Sequence, residues 1–225
     1  YLNQLQSTFI NRLSMGVQSF FDDDLQFLNR VHTAAEAKNA IKLAQQAGFE
    51  KLTIDLIYGI PGLSDTKWKK NVDYFLETGI QHLSAYALTV EAHTALSQLI
   101  QKGKMPQVDE QQSVQQFEYL MQRMEAAGFV HYEISNFAVD GHYSRHNSLY
   151  WAGGNYLGLG PSAHSYNGFS RQWNVSNLKQ YIEMAGITET FAEKEVLTLE
   201  QRYDEYVMTS LRTSWGCDIA HIRNA

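Results

Sequence analysis

The sequence predicts an α/β protein: the C-terminal half of a TIM-like barrel, followed by the start of a small helical domain. Three observations carry this. Strand-like and helix-like segments alternate, as in βα units built on a parallel sheet. Residues 51–58 (KLTIDLIY) are almost continuously apolar apart from Asp55, the mark of a strand buried on both faces. Gln18, Asp55 and Thr89 recur at steps of 37 and 34 residues, each at or just before the end of a strand segment. Barrels and doubly wound sheets both place ligands there. No glycine-rich phosphate loop follows these strands, which favours the barrel.

The elements follow in order. Residues 1–10 read as the end of an earlier helix, so the chain looks cut there and the first half of the barrel missing. Residues 12–18 (RLSMGVQ) form a short β-rich run. Thr33 and Glu36 make a capping box, opening a helix that closes at Gly48. After the strand at 51–58, the residues GIPG break the chain, and a second helix spans 65–77 and ends near Gly79. HLSAYALT (82–89) is a third strand, 109–127 a long helix stopping at Gly128, and HYEISNFA (131–138) a fourth strand.

Beyond residue 138 the alternation stops. Residues 139–169 are glycine- and aromatic-rich, too long for an idle connection. Helices are expected at 176–184 and 198–213, the second opened by a Thr198/Gln201 capping box. Three regions result: 1–138 as barrel, 139–190 as the aromatic extension, and 191–225 as the start of a helical domain cut short.

Composition excludes several classes. Apolar residues make up 44% and charged ones 19%, enough to build a core. Eighteen Lys+Arg against 24 Asp+Glu, without a basic block, argue against a nucleic-acid footprint. No apolar run reaches the roughly 20 residues of a membrane span, and no signal peptide opens the chain, so a cytosolic protein is expected. Cys217 is the only cysteine, which leaves no disulfide framework and no Cys-x-x-Cys metal site.

Among residues able to carry chemistry, Asp55 stands alone in an apolar strand and must have partners, structural ones or a ligand's hydroxyls. Gln18 offers a donor and an acceptor, and Arg30, in the loop beyond, could clamp a carboxylate. Together they suggest a small ligand with hydroxyls and a carboxylate. The stretch YSRHNSLYW (143–151) sets His146 and Asn147 beside Tyr150 and Trp151. Such a histidine is either a satisfied core residue or the axial ligand of a metal at the centre of a flat molecule, with aromatics on its faces. GLGPSA (158–163) superficially fits a dinucleotide fingerprint, but it neither follows a buried strand nor opens a helix, and that reading is rejected.

RLSMGVQSF with Arg30 beyond it, DLIYGIPG, YEISNFA, RHNSLYW and GLGPSAHS, in that order, resemble the radical S-adenosylmethionine proteins related to oxygen-independent coproporphyrinogen III oxidase. The resemblance covers nearly the whole chain. It implies a partial (β/α)6 barrel, with S-adenosylmethionine held by Gln18, Arg30 and Asp55, and less securely by Thr89. It also implies a haem site at His146, Asn147, Tyr150 and Trp151, with His146 as candidate axial ligand to the iron. The family's [4Fe–4S] cluster sits on a Cys-x-x-x-Cys-x-x-Cys motif that these residues lack, so this chain alone is expected to hold no cluster and to cleave no S-adenosylmethionine. The implied function is haem binding and transfer to haem-accepting proteins, membrane-bound respiratory enzymes among them, which would place the protein peripherally at a membrane. The alternative is anaerobic oxidative decarboxylation of coproporphyrinogen III.

Overall fold

The computed structural model describes residues 1–92, 94–187 and 191–224. Two compact units make up the chain, Tyr1–Tyr143 and Ser144–Ala225.

The first unit is built on a five-stranded sheet in the order β1-β2-β3-β5-β4. β1 (Arg12–Gln18), β2 (Lys51–Tyr58) and β3 (His82–Ala87) run parallel, each joined to the next through helices. Between β1 and β2 come α2 (Asp22–Phe27) and α3 (Ala34–Gln46), and between β2 and β3 comes α4 (Asp65–Glu77). Short α1 (Leu2–Gln6) precedes β1, while α5 (Ala95–Gln101) and α6 (Glu110–Ala126) follow β3.

Local sequence explains the helices. Thr33 caps α3, its hydroxyl accepting from Glu36 N while the Glu36 carboxylate accepts from Thr33 N, the expected capping box. Ser64 caps α4, accepting from Lys67 N. Trp68, Val72 and Phe75 then recur at i, i+4 and i+7 and are fully buried, each contributing about 2 kcal/mol relative to exposure. They meet Leu52, Ile54, Leu56, Leu83, Ala85 and Phe137 on one face of the sheet, with Leu120 and Met124 of α6 completing the core.

The strand expected at 131–138 is two strands. β4 (Phe129–Glu133) and β5 (Asn136–Val139) form an antiparallel hairpin, and β5 pairs antiparallel with β3, so the sheet is mixed and open. Glu133 stands opposite Asn136, which leaves Ile134 and Ser135 as the turn. That turn carries no Gly, Asn or Pro, and the half-exposed Ile134 disguises it as strand. The third strand also stops short of Thr89. Leu88 N still donates to Tyr58 O, 2.8 Å away, and the chain then leaves the sheet.

In the second unit, the capping box of Thr198 and Gln201 opens α9 (Leu199–Ser210) as expected. A three-stranded antiparallel sheet, unanticipated, joins β6 (His164–Tyr166), β7 (Ser170–Asn174) and β8 (Ala192–Val196). The helices α7 (Arg145–Trp151), α8 (Leu178–Met184) and α10 (Ile219–Asn224) complete it. The buried Asn174 donates from Nδ2 to Gly160 O (2.9 Å) and Gly158 O (3.3 Å), tying the GLGPSAHS segment to β7. No helix among the described residues is long and apolar enough to cross a membrane.

Candidate functional site

The face of the main sheet turned away from the helices is polar. Along β1 it carries Arg12 and Ser14, along β2 Thr53 and Asp55, along β3 His82, Ser84 and Tyr86, and on β5 Asn136. Asp55 lies opposite Ser84 in register and accepts from Ser14 Oγ at 3.2 Å. Burial raises its carboxyl above the ordinary aspartate range, and the hydroxyls of Ser14 and Ser84 work against that shift. Ser84 donates to Asn136 Oδ1 (2.6 Å), and Asn136 Nδ2 donates to Glu133. Nearer the start of the strands, Arg12 donates to Thr53 Oγ1 (2.7 Å), and His82 Nε2 meets Tyr132 OH at 2.8 Å. Burial, helped by the Arg12 charge, drives the His82 imidazole down to about 3, so it is neutral.

Gln18 ends β1 in a tight reversal. Its φ is +69°, and Ser19 N donates back to Val17 O at 2.9 Å, the pattern of a strained γ-turn. A β-bulge precedes it, after which Gln18 stands opposite Leu56, the neighbour of Asp55. The glutamine amide folds back over Gly16, where an added Cβ would sit 3.0 Å from Gln18 Nε2. Arg30 Nη2 donates to Gln18 Oε1 at 3.0 Å. Among the described residues, no carboxylate forms an ion pair with Arg30. A guanidinium facing an amide and no acid suits an incoming carboxylate, and Gln18 with Asp55 one strand away suits ligand hydroxyls. The donor set fits S-adenosylmethionine. Thr89 stands apart: it is exposed, and its hydroxyl donates to Ala87 O at 3.3 Å.

The GIPG segment after β2 is held from α6. Gly59 N donates to Gln116 Oε1 (2.8 Å), and Gln116 Nε2 donates to Leu63 O (2.9 Å). Gly59 has φ +71°, and a Cβ there would run into Ser113 Oγ.

RHNSLYW is α7, capped by Ser144, whose hydroxyl accepts from Asn147 N. Its four-residue spacing puts His146 and Tyr150 on one side of the helix, and both are exposed. Tyr150 stacks on Tyr156 with centroids 5.0 Å apart and meets Trp151 edge-on at 6.3 Å. Arg212 lies 5.8 Å from the Trp151 ring. Burial and the nearby Tyr150 push the Tyr156 phenol up to about 12, so it is neutral. Tyr150 also walls a cavity of about 900 Å³ with Tyr156, Tyr166, Tyr203 and Tyr206, while His146, Asn147 and Trp151 lie outside it. An exposed imidazole and phenol on one helical face fit the iron and the flat face of a haem.

Sequence reasoning missed the polar row Arg12, Thr53, His82, Ser84 and Asn136, although the alternation of polar and apolar residues in β3 signals it. It also missed Tyr156, Tyr166, Tyr203 and Tyr206, which join Tyr150 around the cavity from scattered segments.

Residues 1–75 match the radical SAM superfamily model. The chain is 39% identical over 212 residues to the heme chaperone HemW of Mycobacterium tuberculosis, covering 94% of this chain and 54% of that protein. The Bacillus subtilis HemW is 36% identical over 218 residues, covering 96% and 57%. The chain thus spans about half the length of the curated relatives it matches. Among solved structures, coproporphyrinogen III oxidase (HemN) from Escherichia coli, described as a radical SAM enzyme, superposes with a TM-score of 0.81. Its identity is 23%, and the match covers 99% of this chain and 54% of that one, a likeness of fold. Family model, relatives and fold agree: the chain belongs to the HemN/HemW-like group of the radical SAM superfamily.

Proposed function

We propose that the whole protein is a haem chaperone that binds haem on α7 and passes it to haem-accepting proteins, membrane-bound respiratory enzymes among them. The observation carrying this is His146 and Tyr150, exposed together on one face of α7, in a chain whose relatives are named heme chaperone HemW. His146 is the candidate axial ligand, Tyr150 and Trp151 supply flat faces, and Asn147 adds an amide at the helix start. In the same reading Arg30 clamps the carboxylate of S-adenosylmethionine, while Gln18 and Asp55 take its ribose hydroxyls, with Thr89 a lesser contact. Bound beside a [4Fe–4S] cluster, that cofactor supplies radical chemistry. These residues contain one cysteine, Cys217, so the cluster's ligands belong to another part of the whole protein.

The test is a haem titration of the full-length protein and its His146→Ala variant. Loss of affinity with a displaced Soret band is expected, and an unchanged band with unchanged affinity removes the haem assignment. Useful turnover of coproporphyrinogen III to protoporphyrinogen under anaerobic, reducing conditions would replace the chaperone with the oxidase.

A further inference from the structure

We propose that Ser19, Asp24 and Asn71 are positioning residues that hold Gln18 and Arg30 in place for the nucleoside ligand, anchored through Lys67 of α4. The inference rests on the reading that Gln18 and Arg30 meet S-adenosylmethionine, and it adds a set of groups that never touch that ligand.

The need for such a set comes from the backbone. A γ-turn centred on a non-glycine residue with positive φ is strained and persists only where its surroundings over-determine it. Gln18 is in that state. Asn29, beside Arg30, also has positive φ, +53°, but as the left-handed residue that ends α2, where Arg30 N donates back to Leu25 O. The segment joining the two is bolted to α4. Phe20 N donates to Asn71 Oδ1 at 2.7 Å, and Asn71 Nδ2 donates to Ser19 Oγ at 3.1 Å. Ser19 Oγ donates to Asp24 Oδ2 at 2.7 Å and accepts from Phe21 N at 3.2 Å. Lys67 Nζ closes the chain on Asp24 Oδ1 (2.5 Å) and Asp23 Oδ2 (2.8 Å). From the other side, the His32 ring nitrogen meets Val17 O at 3.2 Å.

Burial makes the arrangement exacting. Ser19 and Asn71 are fully buried and Asp24 nearly so, and buried polar groups that lose a partner bear the full cost of desolvation. Ser19 is therefore held from both sides, by Asn71 and by Asp24, and Asn71 also fixes the next residue through Phe20 N. Lys67 is held in its charged form: burial opposes the charge, and the hydrogen bonds it donates to Asp23 and Asp24 outweigh it. The simplest alternative is that the cluster only stabilises the fold. Positioning differs from that in one measurable respect, because it acts on the ligand through Gln18 and Arg30.

The experiment measures binding of S-adenosylhomocysteine, an unreactive probe that keeps the carboxylate and the ribose, to the natural full-length protein by calorimetry. Ser19→Ala removes the hub with almost no change in volume and is expected to weaken binding about tenfold, the scale of a lost buried hydrogen-bond set. Gln18→Ala is expected to weaken it as well, and the double variant to lose less than the two single losses combined, since the hub then has only Arg30 left to position. Should Ser19→Ala fail to fold, Lys67→Gln loosens the same chain from its more exposed end, with a loss of about threefold and the same non-additivity. Unchanged affinity in Gln18→Ala removes the underlying reading and this proposal with it. Weakened Gln18→Ala beside an unaffected Ser19→Ala, or losses that add in the double variant, overturn the positioning role alone.

Discussion

Ser14 Oγ donates to Asp55 Oδ1 across 3.2 Å, one strand reaching the next on the polar face of the sheet. The bond falls short of offsetting burial, since the Asp55 carboxyl remains raised. A group raised in the folded state binds its proton more tightly there than in the unfolded chain. Its contribution therefore favours folding at acid pH and is lost as pH rises through the folded value. Asp55→Asn removes the penalty while keeping the shape. We expect it to raise the thermal midpoint at neutral pH by a few degrees and to weaken S-adenosylhomocysteine binding by about tenfold. Scanning calorimetry and titration check the two halves separately.

His82 has the opposite dependence. The folded protein keeps it neutral down to about 3, whereas the unfolded chain takes up a proton near pH 6.5. Stability from this group is complete above 6.5 and drains away as pH falls toward 3, by up to several kcal/mol. Urea midpoints for wild type and His82→Gln across that window should converge as pH falls. Parallel curves would mean that the imidazole titrates normally.

Gln116 ties α6 to the loop after β2. Replacing it by Leu leaves Gly59 N and Leu63 O without the partners seen at 2.8 and 2.9 Å. The expected loss is about 2–4 kcal/mol, read as a lower urea midpoint with an unchanged m-value. Gln116→Glu keeps the acceptor for Gly59 and should recover part of it.

In the second unit, Asn174→Ala frees the two carbonyls of residues 158 and 160. We expect about 2 kcal/mol of destabilisation and faster amide exchange across residues 158–166, with the main sheet unaffected.

What could be read in the sequence follows from how local each signal is. Both capping boxes, the ends of β1, β2 and α4, and the pairing of polar Gln18 with Arg30 come from neighbours in the chain or from a strict period. The β4–β5 reversal does not, because its turn is Ile134-Ser135 and the bond that steadies it, Asn136 to Glu133, looks like ordinary strand residues until the chain folds. Ser19 and Asn71 are 52 residues apart, and nothing in either neighbourhood announces the other. Thr89 was placed by extending an apolar pattern that the chain abandons at Leu88. His146 falls within the RHNSLYW motif, but its outward orientation depends on the whole helix, not on the seven letters.

On the proposal that haem binds at His146, that outward orientation has a kinetic consequence. A pigment resting on an uncovered ledge, with one edge still in water, can be grasped by a recipient before the donor lets go. Hand-over would then proceed through a ternary encounter, so the cargo need never diffuse free, where it could oxidise lipids or aggregate.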